Sequence, residues 1–201
     1  FDTGKNEWSN YPTWPPKNIN DVKYYFQSNE RLNDQTPTDE RSFTEYISDP
    51  FNPVPYTAKF EDSKSFYNKV HLIEDQRYIS TRPDVLTFES EVLTQDVSIA
   101  GPIIADLFVS TTGTDADFVV KIIDVYPDNE NDPDPNPAQV EMGGYERLVR
   151  TEIMRGKFRN SYEFPEPFEP NKVTEVKINL NDAFHTFKTG HKIMIQVLSL
   201  I

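Results

Sequence analysis

Two apolar, β-branched runs at residues 103–111 and 118–126, parted by Thr-Gly-Thr-Asp-Ala-Asp, limit what this chain can fold into more than any other stretch. Strand-sized runs separated by turn chemistry predict a β-hairpin. In the second run Val119, Lys121, Ile123 and Val125 alternate with Phe118, Val120, Ile122 and Asp124, so apolar groups fall on both faces. That is the pattern of a strand covered on both sides inside a sandwich. In the first run Ala105, Leu107 and Val109 share one face. Asp106 stands among Ile104, Phe108 and Ser110 on the other, as an ion-pair partner or a group at the sheet rim.

Such a core fits a chain of 201 residues with 36% hydrophobic and 13% aromatic content, read as one domain over residues 1–201. Against 33 Asp and Glu there are only 20 Lys and Arg, a formal charge of -13. That charge repels phosphate backbones and anionic lipid, so neither nucleic acid nor a membrane is expected as partner. Cysteine is absent, which removes thiol chemistry and a disulfide framework. No apolar run approaches the roughly 18 residues of a membrane-spanning helix. The chain opens on Phe1-Asp2-Thr3-Gly4 and closes on an apolar strand, and it reads as a piece of something longer. The compartment stays open, with a periplasmic or secreted setting ahead of the cytoplasm.

Taken in order, residues 1–17 form a proline and aromatic lead-in that lays Trp8, Tyr11 and Trp14 on a surface. Those rings are either a sugar-stacking platform or contacts to a neighbouring domain, and the second is preferred because large aromatics dominate interfaces. Strands are expected at residues 22–27, 31–33, 43–47, 85–91, 140–150, 173–180 and 192–201, with a short helix at 74–78, a helical turn within 58–68 and a turn at 181–184. Strands every eight to twelve residues, without amphipathic connecting helices, give an all-β, mostly antiparallel sandwich or barrel with long proline-rich loops. Residues 127–137 are an acidic loop whose Asp128, Glu130, Asp132 and Asp134 lack the glycine of an EF-hand turn, leaving a solvated hairpin tip. Arg147, Arg150, Arg155, Lys157 and Arg159 concentrate positive charge; internal pairing with carboxylates is preferred to an anion cradle.

Catalytic signatures are missing. There is no Gly-x-Ser-x-Gly elbow and no phosphate-binding glycine pattern, and His71, His185 and His191 have no adjacent Glu for a zinc-hydrolase motif. His185 and His191, which flank Thr-Phe-Lys-Thr-Gly, are a metal pair or residues that cap a turn or pack at a rim. Paired carboxylates are too abundant to discriminate.

Several pieces nevertheless carry a resemblance in order and spacing: Thr3-Gly4-x-Asn6-x-Trp8 with Trp14-Pro15-Pro16, Ser80-Thr81-Arg82-Pro83-Asp84-Val85-Leu86-Thr87-Phe88, Gly101-Pro102-Ile103, Thr114-Asp115-Ala116-Asp117-Phe118, Asp124-Val125-Tyr126-Pro127, Arg155-Gly156-Lys157-Phe158-Arg159 and His185-Thr186-Phe187-Lys188-x-Gly190-His191. Nearly the whole chain resembles the C-terminal domain of the X-Pro dipeptidyl-peptidase, cocaine esterase and glutaryl-7-aminocephalosporanic acid acylase group, which includes the α-amino-acid ester hydrolases. The resemblance implies a jelly-roll β-sandwich similar to galactose-binding domains, following an α/β-hydrolase domain that holds the Ser-His-Asp triad. No catalytic, cofactor-binding or metal residue is therefore carried onto this chain, and no cofactor is expected. The implied partner is the chain's own catalytic domain, with a homo-oligomer left open. Trp8, Tyr11, Trp14, Tyr162, Phe164 and Phe168 are the interface candidates, and the alternative function is an autonomous carbohydrate-binding module. Past Val197 the family continues to a closing strand, whereas this chain reads Leu198-Ser199-Leu200-Ile201. Either the chain is cut there or a partner supplies the strand.

Overall fold

The computed structural model describes residues 1–39, 42–58 and 69–199. Among the described residues, eight strands form two sheets. β1 (Tyr25–Gln27), β2 (Arg31–Asn33), β3 (Val85–Glu89), β5 (Asp117–Val125), β6 (Glu146–Arg155) and β8 (Lys192–Leu198) make a six-stranded sheet in the order β1-β2-β3-β8-β5-β6. β4 (Val97–Val109) and β7 (Thr174–Phe187) make a two-stranded one. All pairings are antiparallel except β2 with β3. One α-helical turn, α1 (Arg77–Ser80), is present among the described residues, and the turn expected within 58–68 lies almost wholly outside them.

The expected hairpin between the two apolar runs does not form. β4 pairs with β7, and β5 lies between β8 and β6, so the polar link at 112–117 is an arch that carries the chain from one sheet to the other. The physical reason lies in β5, which is buried from Phe118 to Asp124 and so takes a central place with strands on both sides. Phe118, Val120 and Ile122 face the small sheet's Leu107, Val176, Ile178 and Leu180. Val119, on the opposite face, joins Val54, Ile79, Val85 and Leu198 beneath α1. Both apolar faces of the run are thereby used.

A second correction falls at residues 181–184, where β7 continues instead of turning. Asn181 adopts φ +63°, and the β4 register slips between Pro102 and Ile104, so β7 carries one extra residue there. Asn tolerates this left-handed backbone in turns and bulges alike. An extra residue reverses the alternation of a strand: Val176, Ile178 and Leu180 point into the core before the bulge, and His185 and Phe187 after it.

Residues 43–47 form no strand and leave Phe43 and Ile47 exposed, because an alternating pattern without a neighbouring strand has no ladder to join. The strand expected at 140–150 starts later, at Glu146, after a turn at Gly143 and Gly144, the latter at φ +64°. β1 keeps only the end of the 22–27 run.

Phe168 leaves the set of surface aromatics. It is 3% exposed, edge-on to Phe118 at 6.2 Å, with the Arg159 guanidinium 4.6 Å above its ring. Gly156 makes room for it: a Cβ there would lie 2.3 Å from Phe168 Cε2 and 2.7 Å from the Ala116 carbonyl. Gly156→Ala is expected to lower unfolding free energy by about 1–3 kcal/mol, the range for overfilling a packed site, in urea titrations at unchanged m-value.

Candidate functional site

The reversal of alternation at Asn181 brings His185 of the small sheet against Asp124 of the large one. His185 Nε2 donates to Asp124 Oδ2 at 3.2 Å, and His191 Nδ1, just past the Lys188–Gly190 turn, donates to Asp124 Oδ1 at 2.8 Å. Asp124 and His185 are essentially without solvent contact. Burial by itself raises the Asp124 carboxyl, but the two imidazole hydrogen bonds outweigh it and hold the group below the usual carboxylate range. With Nε2–H directed at Asp124, a neutral His185 presents Nδ1 to the Thr3 hydroxyl 2.8 Å away.

The same stretch of β7 holds the start of the chain. Asp2 is 2% exposed, and its Oδ1 accepts from the backbone N–H of Gly4 (2.9 Å), Lys5 (3.1 Å) and Thr186 (3.0 Å). Its Oδ2 accepts the Thr186 hydroxyl at 2.6 Å. The Thr3 N–H donates to the Phe184 carbonyl at 3.0 Å. Arg150 of β6 continues the cover along the strand edge, donating to the Leu180 and Asp182 carbonyls at 3.1 and 2.7 Å.

Thr3, His185 and Asp124 thus line up as hydroxyl, imidazole and carboxylate. A working nucleophile of that kind also needs free donors beside the oxygen to receive a developing oxyanion. Here the N–H groups of Gly4, Lys5 and Thr186 are all turned onto Asp2. The arrangement is a structural clamp between sheets. It also removes both expectations for the histidines: His185 has both ring nitrogens engaged and no lone pair for a metal, and the two rings lie inside the core rather than at a rim or cap. Among the described residues no cluster of three His, Asp or Glu could hold a metal ion.

The aromatic candidates are placed differently. Trp8 is 83% exposed and packs edge-on to Phe1 at 5.1 Å. Tyr11 and Trp14 lean on Phe184 at 5.7 and 6.0 Å, and the Trp14 indole donates to the Asp182 carboxylate. Tyr162 and Phe164 stand exposed on the link between β6 and β7. Three of the basic residues pair with carboxylates as expected, Arg155 with Asp117 at 3.1 Å, Lys157 with Asp115 at 2.9 Å and Arg159 with Glu166 at 3.0 Å, whereas Arg147 donates to the Tyr126 hydroxyl at 3.2 Å and Arg150 to main-chain carbonyls. Asp106 is the ion-pair partner of Lys177 at 3.8 Å. The acidic loop joins the paired strands β5 and β6 and is closed by its own side chains, Asn136 pinning Val140 and Asp132 the Met142 N–H.

A second buried polar group is Lys121, whose signal in the sequence is a lysine inside an apolar run. Lys121 Nζ donates to Gln76 Oε1 at 2.7 Å, 5.9 Å from the Tyr78 ring. Burial pushes its ammonium down to about 8, partly offset by Glu74 and Glu146. Burial likewise pushes the Glu146 carboxyl up to about 7, and its Oε2 has no hydrogen-bond partner.

Fold and site define a two-sheet β domain in which buried Asp124 and Asp2 join segments far apart in sequence. The chain belongs to the X-Pro dipeptidyl-peptidase C-terminal non-catalytic domain family, which it matches over residues 1–200. It is 30% identical over 207 residues to cocaine esterase of Rhodococcus sp. (strain MB1 Bresler), covering 99% of this chain and 33% of the esterase. It is similar to the crystal structure of an aminopeptidase from a marine sediment Thaumarchaeota archaeon, with TM-score 0.89 and 39% identity over 98% of this chain and 32% of that one. An α-amino acid ester hydrolase structure matches with TM-score 0.88 and 36% identity over 100% of this chain and 33% of that one. The chain spans about a third of the length of each relative.

Two opposite pH slopes are expected. Between about 7 and the 4.5 of an unfolded glutamate, folded Glu146 holds more protons than the unfolded chain, so its contribution falls as pH rises through that window. Between about 8 and 10.5 the unfolded chain holds more protons on Lys121, so stability rises with pH there. Glu146→Gln should remove the first slope and Lys121→Met the second, each on the order of 3 kcal/mol, in urea unfolding from pH 4.5 to 10.5 relative to wild type.

Proposed function

We propose that this chain, as one domain over residues 1–201, is the C-terminal β-sandwich of a serine hydrolase acting on acyl esters, amides or X-Pro peptides. The sandwich is of the jelly-roll kind with long proline-rich loops, packs on a preceding α/β-hydrolase domain and helps wall its substrate cleft. The observation that carries this reading is coverage: 98–100% of the chain aligns with about one third of an esterase, an aminopeptidase and an ester hydrolase, and residues 1–200 match a family described as a C-terminal non-catalytic domain. The missing serine elbow and the internally occupied Thr3–His185–Asp124 relay agree with chemistry located elsewhere.

Contacts to the catalytic domain are assigned to the exposed rings of Trp8, Tyr11, Trp14, Tyr162 and Phe164. Large, stiff aromatics of this sort anchor interfaces at low entropic cost.

A fluorophosphonate probe tests the division of labour. In the full-length protein the label is expected on a serine ahead of Phe1, with none on residues 1–201. Specific labelling of a serine within the chain would overturn the reading. So would glycan binding by the chain that Trp8→Ala abolishes, in favour of a carbohydrate-binding module.

A further inference from the structure

We propose that residues 1–7 are a rigid bracket that fixes the preceding hydrolase domain in one orientation against the sandwich, with Asp2 as its positioning residue. The inference rests on the domain assignment above and adds how the two parts are held.

A connecting segment between domains is by default exposed, polar and poor in contacts, and the domains it joins reorient freely. Residues 1–7 have the opposite character. The segment closes on itself through the Asp2–Glu7 bridge, with N–H to carbonyl distances of 2.8 and 3.2 Å. It is then fastened to β7 by two hydrogen bonds from Thr186 to the Asp2 carboxylate, which also accepts from Gly4 and Lys5 of the segment itself, and by the Thr3 backbone and side chain. Gly4 is pressed so closely on the strand that a Cβ would lie 1.9 Å from the Thr186 carbonyl oxygen. No other residue type fits that approach. A buried carboxylate that accepts four hydrogen bonds resists tilt and sliding, because displacement from Thr186 leaves it short of partners.

The bracket also orients the rings that follow it. Tyr11 and Trp14 are braced on Phe184, two residues before the Asp2 seat, and Trp14 is tied to Asp182. Between these residues and the strands lies an open groove of about 620 Å³ bordered by Lys5, Glu7, Tyr11, Ser98, Ala100 and Phe184. A surface whose rings are already positioned loses less entropy on docking than a mobile one. The occupant is the catalytic domain of the same polypeptide. The family's description as C-terminal puts the remaining two thirds of the relatives' length ahead of this domain, and the bracket is the part of the chain next to it.

The test uses the full-length protein, with one spin label at the exposed Thr112 and a second in the preceding domain, and reads the inter-label distance distribution. Wild type and Asp2→Asn, whose amide can accept at Oδ1 and donate to the Thr186 hydroxyl oxygen, are expected to give one narrow distance. Asp2→Ala, and to a smaller degree Thr3→Val, should at least double its width, while hydrogen-exchange protection of β5 is kept and that of residues 1–7 is lost. A distribution already broad in wild type, or unchanged width in Asp2→Ala once residues 1–7 exchange freely, overturns the bracket. Protection of residues 1–7 persisting in Asp2→Ala overturns the role of Asp2. Absence of a fluorophosphonate-reactive domain ahead of Phe1 overturns both proposals and is read separately, by the probe.

Discussion

One buried carboxylate ties the two sheets together. Asp124 projects from β5, an interior strand of the large sheet, and receives imidazole hydrogen bonds from His185 of the small sheet and from His191 after the turn that joins them. Hydrophobic contact between sheets is non-directional and tolerates sliding; a carboxylate with two fixed donors does not. Removing one partner would leave an ionised group unpaired in the interior, so the register of β5 against β7 is held by the cost of every alternative.

That clamp depends on a single inserted residue. Without the bulge at Asn181, the even-numbered side chains would stay inward to the end of β7, and Thr186 rather than His185 would face Asp124. With it, His185 points inward and Thr186 outward, where Thr186 takes up Asp2. Adjacent residues on one strand therefore serve the inter-sheet contact and the anchoring of the chain's start, with Thr3 in contact with both through His185.

The β-rich class, the two-sided burial of residues 118–124 and the last strand were legible because period-two patterns and apolar runs are local properties. Partner choice was not. The polar link at 112–117 has the same composition whether it makes a hairpin or an arch, and Asn181 signals a turn and a bulge equally well. The anchoring of Asp2 on Thr186 was still less accessible, since the two stand 184 positions apart and nothing in the stretch around Thr186 points to a partner at the start of the chain. The lysine and aspartate inside the apolar β5 run were visible anomalies, and both proved to be buried polar anchors. The burial of Phe168 depends on the gap left by Gly156, which nothing in the aromatic and proline-rich stretch around it announces.

If Asp2 and Asp124 act on one shared stretch of β7, their energies are coupled. A double-mutant cycle on unfolding free energy, with Asp2→Ala, Asp124→Ala and the pair, measures that coupling directly. The account predicts an interaction energy of about 1 kcal/mol or more, as found for residues within one hydrogen-bonded network. Additivity to within about 0.5 kcal/mol would show two independent anchors and contradict it.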